Sequence, residues 1–100
     1  MIEEYRDIEG YEGRYQVSNL GNIKSLPRKY RLKEEVLKTR DMSSYKVVKL
    51  TKNYKTHGIQ VHLIVAWAFL NYEGLVGKVW VGHIDGNLHN NRVDNLKLIN

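Results

Sequence analysis

Apolar and polar residues alternate along two stretches near the start of the chain. RYQVS, residues 14–18, runs into SNLGN, whose asparagines and glycine favour a turn. IKSL, residues 23–26, follows that turn and stops at Pro27. Because each stretch fits the two-residue period of a half-buried strand, the pattern predicts a β-hairpin.

The middle of the chain predicts further extended structure. YKVVKL, residues 45–50, is a valine-rich strand that the polar TKNYKTHG, residues 51–58, closes as a loop. GIQVH, residues 58–62, is then extended again. KEEVLK, residues 33–38, fits a helical turn and an edge strand equally well, so both interpretations stay open.

One short apolar segment has the spacing of a helix. In HLIVAWAFLN, residues 62–71, Ile64, Val65, Ala68 and Phe69 recur at helical intervals, which predicts a short and mostly buried helix. Phe69 shares a face with Val65, so we expect its ring to be better buried than that of Trp67.

The end of the chain predicts two more strands. NYEGLVGK, residues 71–78, is a link, and VWVGH, residues 79–83, is a strand. A polar loop over residues 84–95 leads to a last strand, LKLI, residues 96–99. The predicted class is therefore α+β, with small antiparallel β-sheets and one buried helix.

Length and composition narrow the class of protein. One hundred residues predict a single domain, and the absence of cysteine excludes disulfides and a cysteine-bound zinc. The first residues lack the pattern of a signal peptide, and the longest apolar run, residues 63–70, is too short to span a bilayer. We therefore expect a cytoplasmic protein with no membrane partner.

The positive charge is concentrated in the middle of the chain. The net charge is +5, but residues 14–60 hold twelve bases against three acids. Residues 1–13 hold five acids and one base, and residues 61–100 are balanced. A basic segment with tyrosines between the bases suggests a nucleic-acid surface, although a solvated lysine-rich surface explains the charge equally well. The tyrosines are Tyr15, Tyr30, Tyr45 and Tyr54.

Three segments resemble one enzyme family, in that family's order and spacing. GYEGRYQVSNLGNIKSL, residues 10–26, resembles the nuclease-associated modular DNA-binding motif of phage intron-encoded endonucleases. VHLIVAWAFL, residues 61–70, resembles their VHRLVA-type helix, and HIDGNLHNNRVDNL, residues 83–96, resembles their HNH motif. The resemblance is to the HNH homing endonucleases of a bacterial or phage-infected cell.

The resemblance implies different roles for the two parts of the chain. Residues 1–60 would form a basic, β-rich part that binds double-stranded DNA, and residues 61–100 an HNH-like helix and hairpin of the ββα-metal type. The family cleaves DNA at specific sites, often nicking one strand. The DNA-binding residues that we expect are Arg14, Lys24, Arg28, Lys29, Arg31, Lys52 and Lys55.

The same resemblance assigns catalytic roles to two residues. His83 would be the general base, since an imidazole titrates near neutral pH. Asn95, the middle residue of the motif, would hold that imidazole through its side-chain carbonyl. His62 is expected to pack or to form a hydrogen bond, and His57 and His89 to lie at the surface.

The remaining polar residues of the motif have a simpler interpretation. Asp85, Gly86 and Asn87 are turn formers in any protein, and we expect Asn90 and Asn91 to satisfy backbone groups of the loop.

Several positions depart from the family pattern. Gly82 stands where the family often has a metal-binding Asp or Asn, and Leu63 replaces the arginine of VHRLVA. The family's final helix, which supplies a further metal ligand, would begin past Asn100, so we expect a hairpin that lacks it.

From these departures we expect that the Mg²⁺ or similar divalent cation of the family is not stably bound and that catalysis is impaired. Two alternatives remain: a DNA-binding module that does not cut, and an inhibitor or other interaction protein with a protein partner.

Overall fold

The computed structural model describes residues 1–29, 31–42, 45–71 and 80–99. The predicted link over residues 71–78 lies outside the described residues apart from Asn71, as do Tyr30 and the first residue of VWVGH. In the described part, three small antiparallel sheets surround one α-helix, so the predicted α+β class is confirmed. No helix of the described part is long and apolar enough to cross a membrane.

The first sheet contains four strands in sequence order. They are β1 (Tyr5–Asp7), β2 (Tyr15–Ser18), β3 (Ile23–Ser25) and β4 (Glu35–Val36). The predicted hairpin is β2 with β3, in which Val17 pairs with Ile23, and both side chains are fully buried. The ambiguous KEEVLK segment supplies the edge strand β4, which pairs with β3. The acidic residues 1–13 contain β1, which the sequence pattern did not predict.

The second sheet contains β5 (Arg40–Met42), β6 (Tyr45–Lys52) and β7 (Lys55–Gln60). TKNYKTHG is not a loop, contrary to the prediction, because β6 and β7 stay paired up to Lys52 and Lys55. Only Asn53 and Tyr54 separate the strands, and both have positive φ, 53° and 62°. A two-residue turn with φ positive at both positions matches the twist of a hairpin, so the strands run on to the turn.

The helix α1 (Val61–Phe69) begins directly after β7 and packs against strands of all three sheets. Its buried face packs against Val17 and Ile23 of the first sheet and against Val48 and Leu50 of the second, in one apolar core. The buried residues of this core are Ile8, Tyr15, Val17, Ile23, Val48, Leu50, Val61, Ile64, Val65 and Leu96. Phe69 packs at the edge of this core while Trp67 is 41% exposed, as the spacing predicted.

The third sheet is a pair of strands at the end of the chain. β8 (Trp80–His83) pairs with β9 (Leu96–Ile99), and His83 faces Leu96 across the ladder. The loop between these strands, residues 84–95, ends in a single 3-10 turn over Val93–Asn95. Since Leu96 is buried against the helix, the hairpin is fixed to the core at the end that carries His83.

Candidate functional site

The loop over residues 84–95 is organised by a single carboxylate. Asp85 accepts hydrogen bonds from the backbone N–H of Asn87 at 2.8 Å and from the side-chain amides of Asn90 and Asn95, both at 2.9 Å. The Asn90 amide, the Asn87 N–H and the Asn95 amide, in that order, lower the pKa of Asp85 below its usual value. Gly86 takes φ of 76°, so the predicted tight turn is present.

Asn95 is buried beneath this turn, and its side chain does not reach His83. Its Oδ1 accepts the Asp85 N–H at 3.1 Å, while its Nδ2 donates to the Asp85 carboxylate and to the Asn90 carbonyl. Within the described residues, the Asn95 carbonyl is bonded to the Asp85 N–H and not, as expected, to the imidazole, and the catalytic role of Asn95 stays a prediction. Asn95 instead fixes the loop that follows His83.

The partner of the His83 imidazole is Asn91. His83 Nε2 lies 2.8 Å from Asn91 Oδ1, and a carbonyl oxygen only accepts, so Nε2 carries the proton. The neutral imidazole then keeps its lone pair on Nδ1, the nitrogen that is able to accept a proton. His83 itself is half-buried at the end of β8.

Asn91 is held in position by contacts with the first sheet. The turn at Gly21 lies against it so closely that a Cβ at Gly21 would come within 3.1 Å of Asn91. The Asn19 carbonyl also accepts the Val93 N–H at 2.8 Å. Asn91 is 4% exposed as a result. No local pattern identifies it among the five asparagines of residues 81–100, because contacts distant in sequence select it.

Two aromatic rings lie beside the His83 imidazole. Tyr45 stacks on His62, with ring centroids 4.9 Å apart and 22° between the planes, and the His62 ring lies 5.0 Å from that of His83. His62 is buried, and no hydrogen bond to its Nδ1 is found within the described residues. Burial, and secondarily the charge of His83, lower the pKa of His62 to about 4. The predicted packing role of His62 is thus confirmed.

The other histidines lie at the surface, as expected. His57 is exposed on β7, and His89 is exposed with its Nε2 3.8 Å from the Asp41 carboxylate.

The donors around His83 do not fit a divalent cation of the magnesium type, which requires several oxygen ligands in near-octahedral geometry. In the described segments, no three His, Asp or Glu side chains converge in a way that could hold a metal ion. Gly82 has no side-chain oxygen, and a Cβ there would meet Ile99 Cδ1 at 2.7 Å. The Asn91 carbonyl oxygen is engaged by His83.

Four of the seven predicted DNA-binding residues line one cleft. This cleft, of about 520 Å³, is called the basic cleft below, and its lining residues are Arg14, Arg28, Lys29, Arg31, Thr51, Asn53 and Tyr54. Tyr54 was named from the sequence among the tyrosines of the basic segment, but the polar pattern placed Thr51, Asn53 and Tyr54 in a loop and did not identify Thr51 or Asn53 as residues of this surface. Lys52 and Lys55 face each other at the end of the hairpin that carries these three residues.

The cations of the basic cleft differ in what they contact. Arg28 is half-buried, lies over the Tyr15 ring at 5.1 Å, and donates through Nη1 to the carbonyls of Arg14 and Leu26. Arg31 forms an exposed ion pair with Glu35 at 3.1 Å. Arg28 therefore shapes the wall of the cleft, whereas the guanidinium of Arg31 lies at the surface.

The remaining predicted cations lie elsewhere. Lys24 does not line the basic cleft, because its ammonium pairs with Glu34 at 3.0 Å and lies 4.1 Å from the centre of the Tyr5 ring. Lys52 Nζ donates to the Gly10 carbonyl, and Lys55 is exposed on β7.

In the described part, a β-rich region is followed by a helix and a histidine-bearing hairpin, the order that the sequence resemblance implied. The NUMOD4 motif matches residues 3–51. The chain is 41% identical over 98 residues to DNA endonuclease I-HmuI of Bacillus phage SP01, which covers 96% of this chain and 52% of that protein. These matches identify the NUMOD4 motif in this chain and its similarity to a phage HNH homing endonuclease.

Two further comparisons find the same similarity. The chain is 31% identical over 93 residues to the uncharacterized HNH endonuclease L247 of Acanthamoeba polyphaga mimivirus, covering 92% of this chain and 22% of that one. A solved structure described as DNA binding and cleavage by the HNH homing endonuclease I-HmuI superposes with a TM-score of 0.79 at 39% identity, covering 96% of this chain and 52% of the other. The chain thus spans about half the length of I-HmuI.

Proposed function

We propose that this chain binds double-stranded DNA and presents an HNH-type histidine to it, as part of a homing-type endonuclease acting in a bacterial or phage-infected cell. Residues 1–60 would supply the DNA-binding part, and residues 61–100 the histidine-bearing part. The observation that carries the proposal is the basic cleft, in which Arg14, Lys29 and Arg31 line one concave surface. The DNA endonuclease I-HmuI supports DNA as the partner.

Phosphate contacts explain why a cleft of this kind would bind a duplex without regard to sequence. Each neutralised phosphate releases counterions, so affinity falls as salt rises. If the cleft and its neighbouring lysines neutralise about five phosphates, the log–log slope of affinity against salt is roughly −4 to −5.

The test is a titration of a labelled 30-base-pair duplex followed by fluorescence anisotropy at several salt concentrations. The variant Lys29→Ala with Arg31→Ala should weaken binding and flatten the slope by roughly two. The control is Lys38→Ala with Arg40→Ala, which removes the same charge from exposed positions that do not line the basic cleft. Binding that is absent at low salt, or indifferent to salt, would reject DNA as the partner and leave the protein-partner alternative.

For the chemistry, we infer that His83 is the general base. Its Nε2–H is bonded to Asn91, so Nδ1 would accept a proton from the attacking water. A positioned base contributes about 10²–10⁴-fold, which is far below the acceleration that phosphodiester cleavage needs. His83 alone is therefore insufficient for efficient cleavage.

We further propose that the β8–β9 hairpin cleaves DNA poorly because position 82 is a glycine. Gly82, next to the proposed general base His83, has no side-chain oxygen that could bind a metal ion. The Ile99 side chain fills the space that a Cβ at Gly82 would enter. A DNA-binding module with weak or absent nicking is the activity that this arrangement favours. The support comes from the residue at this position and from its packing against Ile99.

A designed pair of substitutions tests this second proposal. Ile99→Val removes Cδ1, the atom that lies 2.7 Å from the position of a Cβ at Gly82, and makes room for Gly82→Asp. We expect supercoiled plasmid with magnesium or manganese to be nicked faster by the double variant than by the parent chain or by Ile99→Val. His83→Ala in the double variant should abolish the gain. Robust nicking by the parent chain, lost in His83→Ala, would contradict the impairment.

A further inference from the structure

The turn that ends the β6–β7 hairpin places an aromatic residue where glycine is the usual choice. Asn53 and Tyr54 form a two-residue turn with φ positive at both, and such turns favour Asn followed by Gly. Asparagine tolerates this conformation through its short polar side chain, but a bulky residue adopts it at a cost in backbone energy. Tyr54 therefore occupies a strained position that its own conformational preference does not explain.

Packing does not compensate for that strain. The Tyr54 side chain is fully exposed, at 105% of its reference area, whereas Tyr15 in the same half of the chain is 4% exposed. A tyrosine that is held in a left-handed turn and gives no burial adds nothing evident to the fold. Strain of this kind is found where a side chain is needed for contact with a ligand or partner.

The surroundings of Tyr54 indicate the chemistry of that partner. It lines the basic cleft beside Arg14, Lys29 and Arg31, and the lysines Lys52 and Lys55 flank its turn. An exposed aromatic ring among cations that suit phosphates is able to stack on a base or to press against a sugar once the backbone is bound. A two-stranded β-ribbon is also narrow enough to enter a groove of duplex DNA.

We propose that Tyr54 is a DNA contact at the tip of the β6–β7 hairpin, where its ring packs against bases or sugars in a groove of the duplex whose phosphates lie along the basic cleft. This inference rests on the proposed binding of duplex DNA. Because a stacked ring releases no counterions, its share of the affinity does not depend on salt, in contrast to the share of the neighbouring cations.

That difference defines the experiment. Tyr54→Gly installs the residue that the turn prefers, so the variant should keep or raise the melting temperature of the parent chain. We expect its dissociation constant for the 30-base-pair duplex to rise roughly tenfold, in the range of a lost aromatic stack, with the salt slope unchanged. Tyr54→Phe should retain the parent affinity, because the ring and not the hydroxyl makes the contact.

Tyr54→Lys separates stacking from charge. If charge alone mattered at the tip, the added ammonium would raise affinity and steepen the salt slope; we expect it to steepen the slope and leave low-salt affinity below that of Tyr54→Phe. Parent-like affinity of the folded Tyr54→Gly protein would overturn the Tyr54 contact while leaving DNA binding intact. Failure of the parent chain to bind duplex at any salt concentration would overturn both.

Discussion

The imidazole of His62 lies 5.0 Å from that of His83, but His62 is buried whereas His83 is half-buried. His62 is 4% exposed and stacked on Tyr45, so protonation would place a charge in a dry site next to a second imidazole. His62 therefore stays neutral over the physiological pH range and presents an uncharged ring to His83.

The first prediction concerns stability at acid pH. Unfolded His62 binds a proton near its ordinary pKa of 6.5, whereas the folded chain binds it only near 4. The unfolded state therefore holds more protons in that window, and the free energy of unfolding falls as pH falls from 6.5 to 4, by about 2–3 kcal/mol. Urea denaturation at pH 7.5 and 4.5 measures the difference.

His62→Phe should remove this part of the pH dependence, because phenylalanine fills the same site without titrating. His57→Phe, at an exposed histidine, is the matched control and should leave the loss unchanged. An equal loss of stability at pH 4.5 in the parent and in His62→Phe would show that His62 does not titrate in this way.

The second prediction concerns the tautomer of His83. Neutral His83 should carry its proton on Nε2, since that nitrogen donates to Asn91 Oδ1. Long-range nitrogen–proton NMR spectra at pH 8 distinguish the tautomers directly. Asn91→Ala should produce a mixture of tautomers, while Asn90→Ala, which removes an amide bound to Asp85 instead, should not. A dominant Nδ1–H form in the parent chain would contradict the assignment.

The third prediction separates two neighbouring cations of the basic cleft. Arg28→Lys should lower the free energy of unfolding by about 1–2 kcal/mol, because lysine cannot reach the Arg14 and Leu26 carbonyls and stack on Tyr15 together. Arg31→Lys keeps an exposed charge beside Glu35 and should change stability by less than about 0.5 kcal/mol. Thermal unfolding compares them, and equal melting temperatures would refute the structural role of Arg28.

The fourth prediction concerns the end of the helix. Phe69 packs at the edge of the core, and the Arg6 guanidinium lies 4.3 Å from the centre of its ring. Phe69→Ala should cost about 2–3 kcal/mol, below the 3–5 kcal/mol typical of a fully buried ring. Trp67→Ala, at the exposed neighbour, should cost less than about 1 kcal/mol. A larger loss at Trp67 than at Phe69 in chemical denaturation would contradict this order.

The sequence predicted those elements whose residues carry a local period. β2, β3, β6 and α1 follow from alternation or helical spacing, since each buries one face. The turn at Asn53 and Tyr54 was missed because polar composition was taken as a loop, although two residues are enough to join a hairpin.

The candidate site was less predictable than the fold. His83 ends β8, the strand that the sequence predicted, but the bond to its imidazole comes from Asn91 and not from Asn95. Asn91 is held beside His83 by the turn at Gly21, which is some seventy residues away along the chain. The local pattern of asparagines therefore could not predict which of them bonds the imidazole.

The helix starts at the residue that follows β7, with nothing between Gln60 and Val61. The turn at Tyr54 and the imidazole of His62 consequently lie at the two ends of β7. Six residues of strand extend roughly 20 Å, about six base steps along a duplex. Inserting two residues into each of β6 and β7 would preserve the pairing and move the tip outward by roughly 7 Å, or two base steps. If Tyr54 and His83 both contact the duplex as proposed, the length of this one hairpin sets the offset between the groove that Tyr54 contacts and the phosphate that reaches His83.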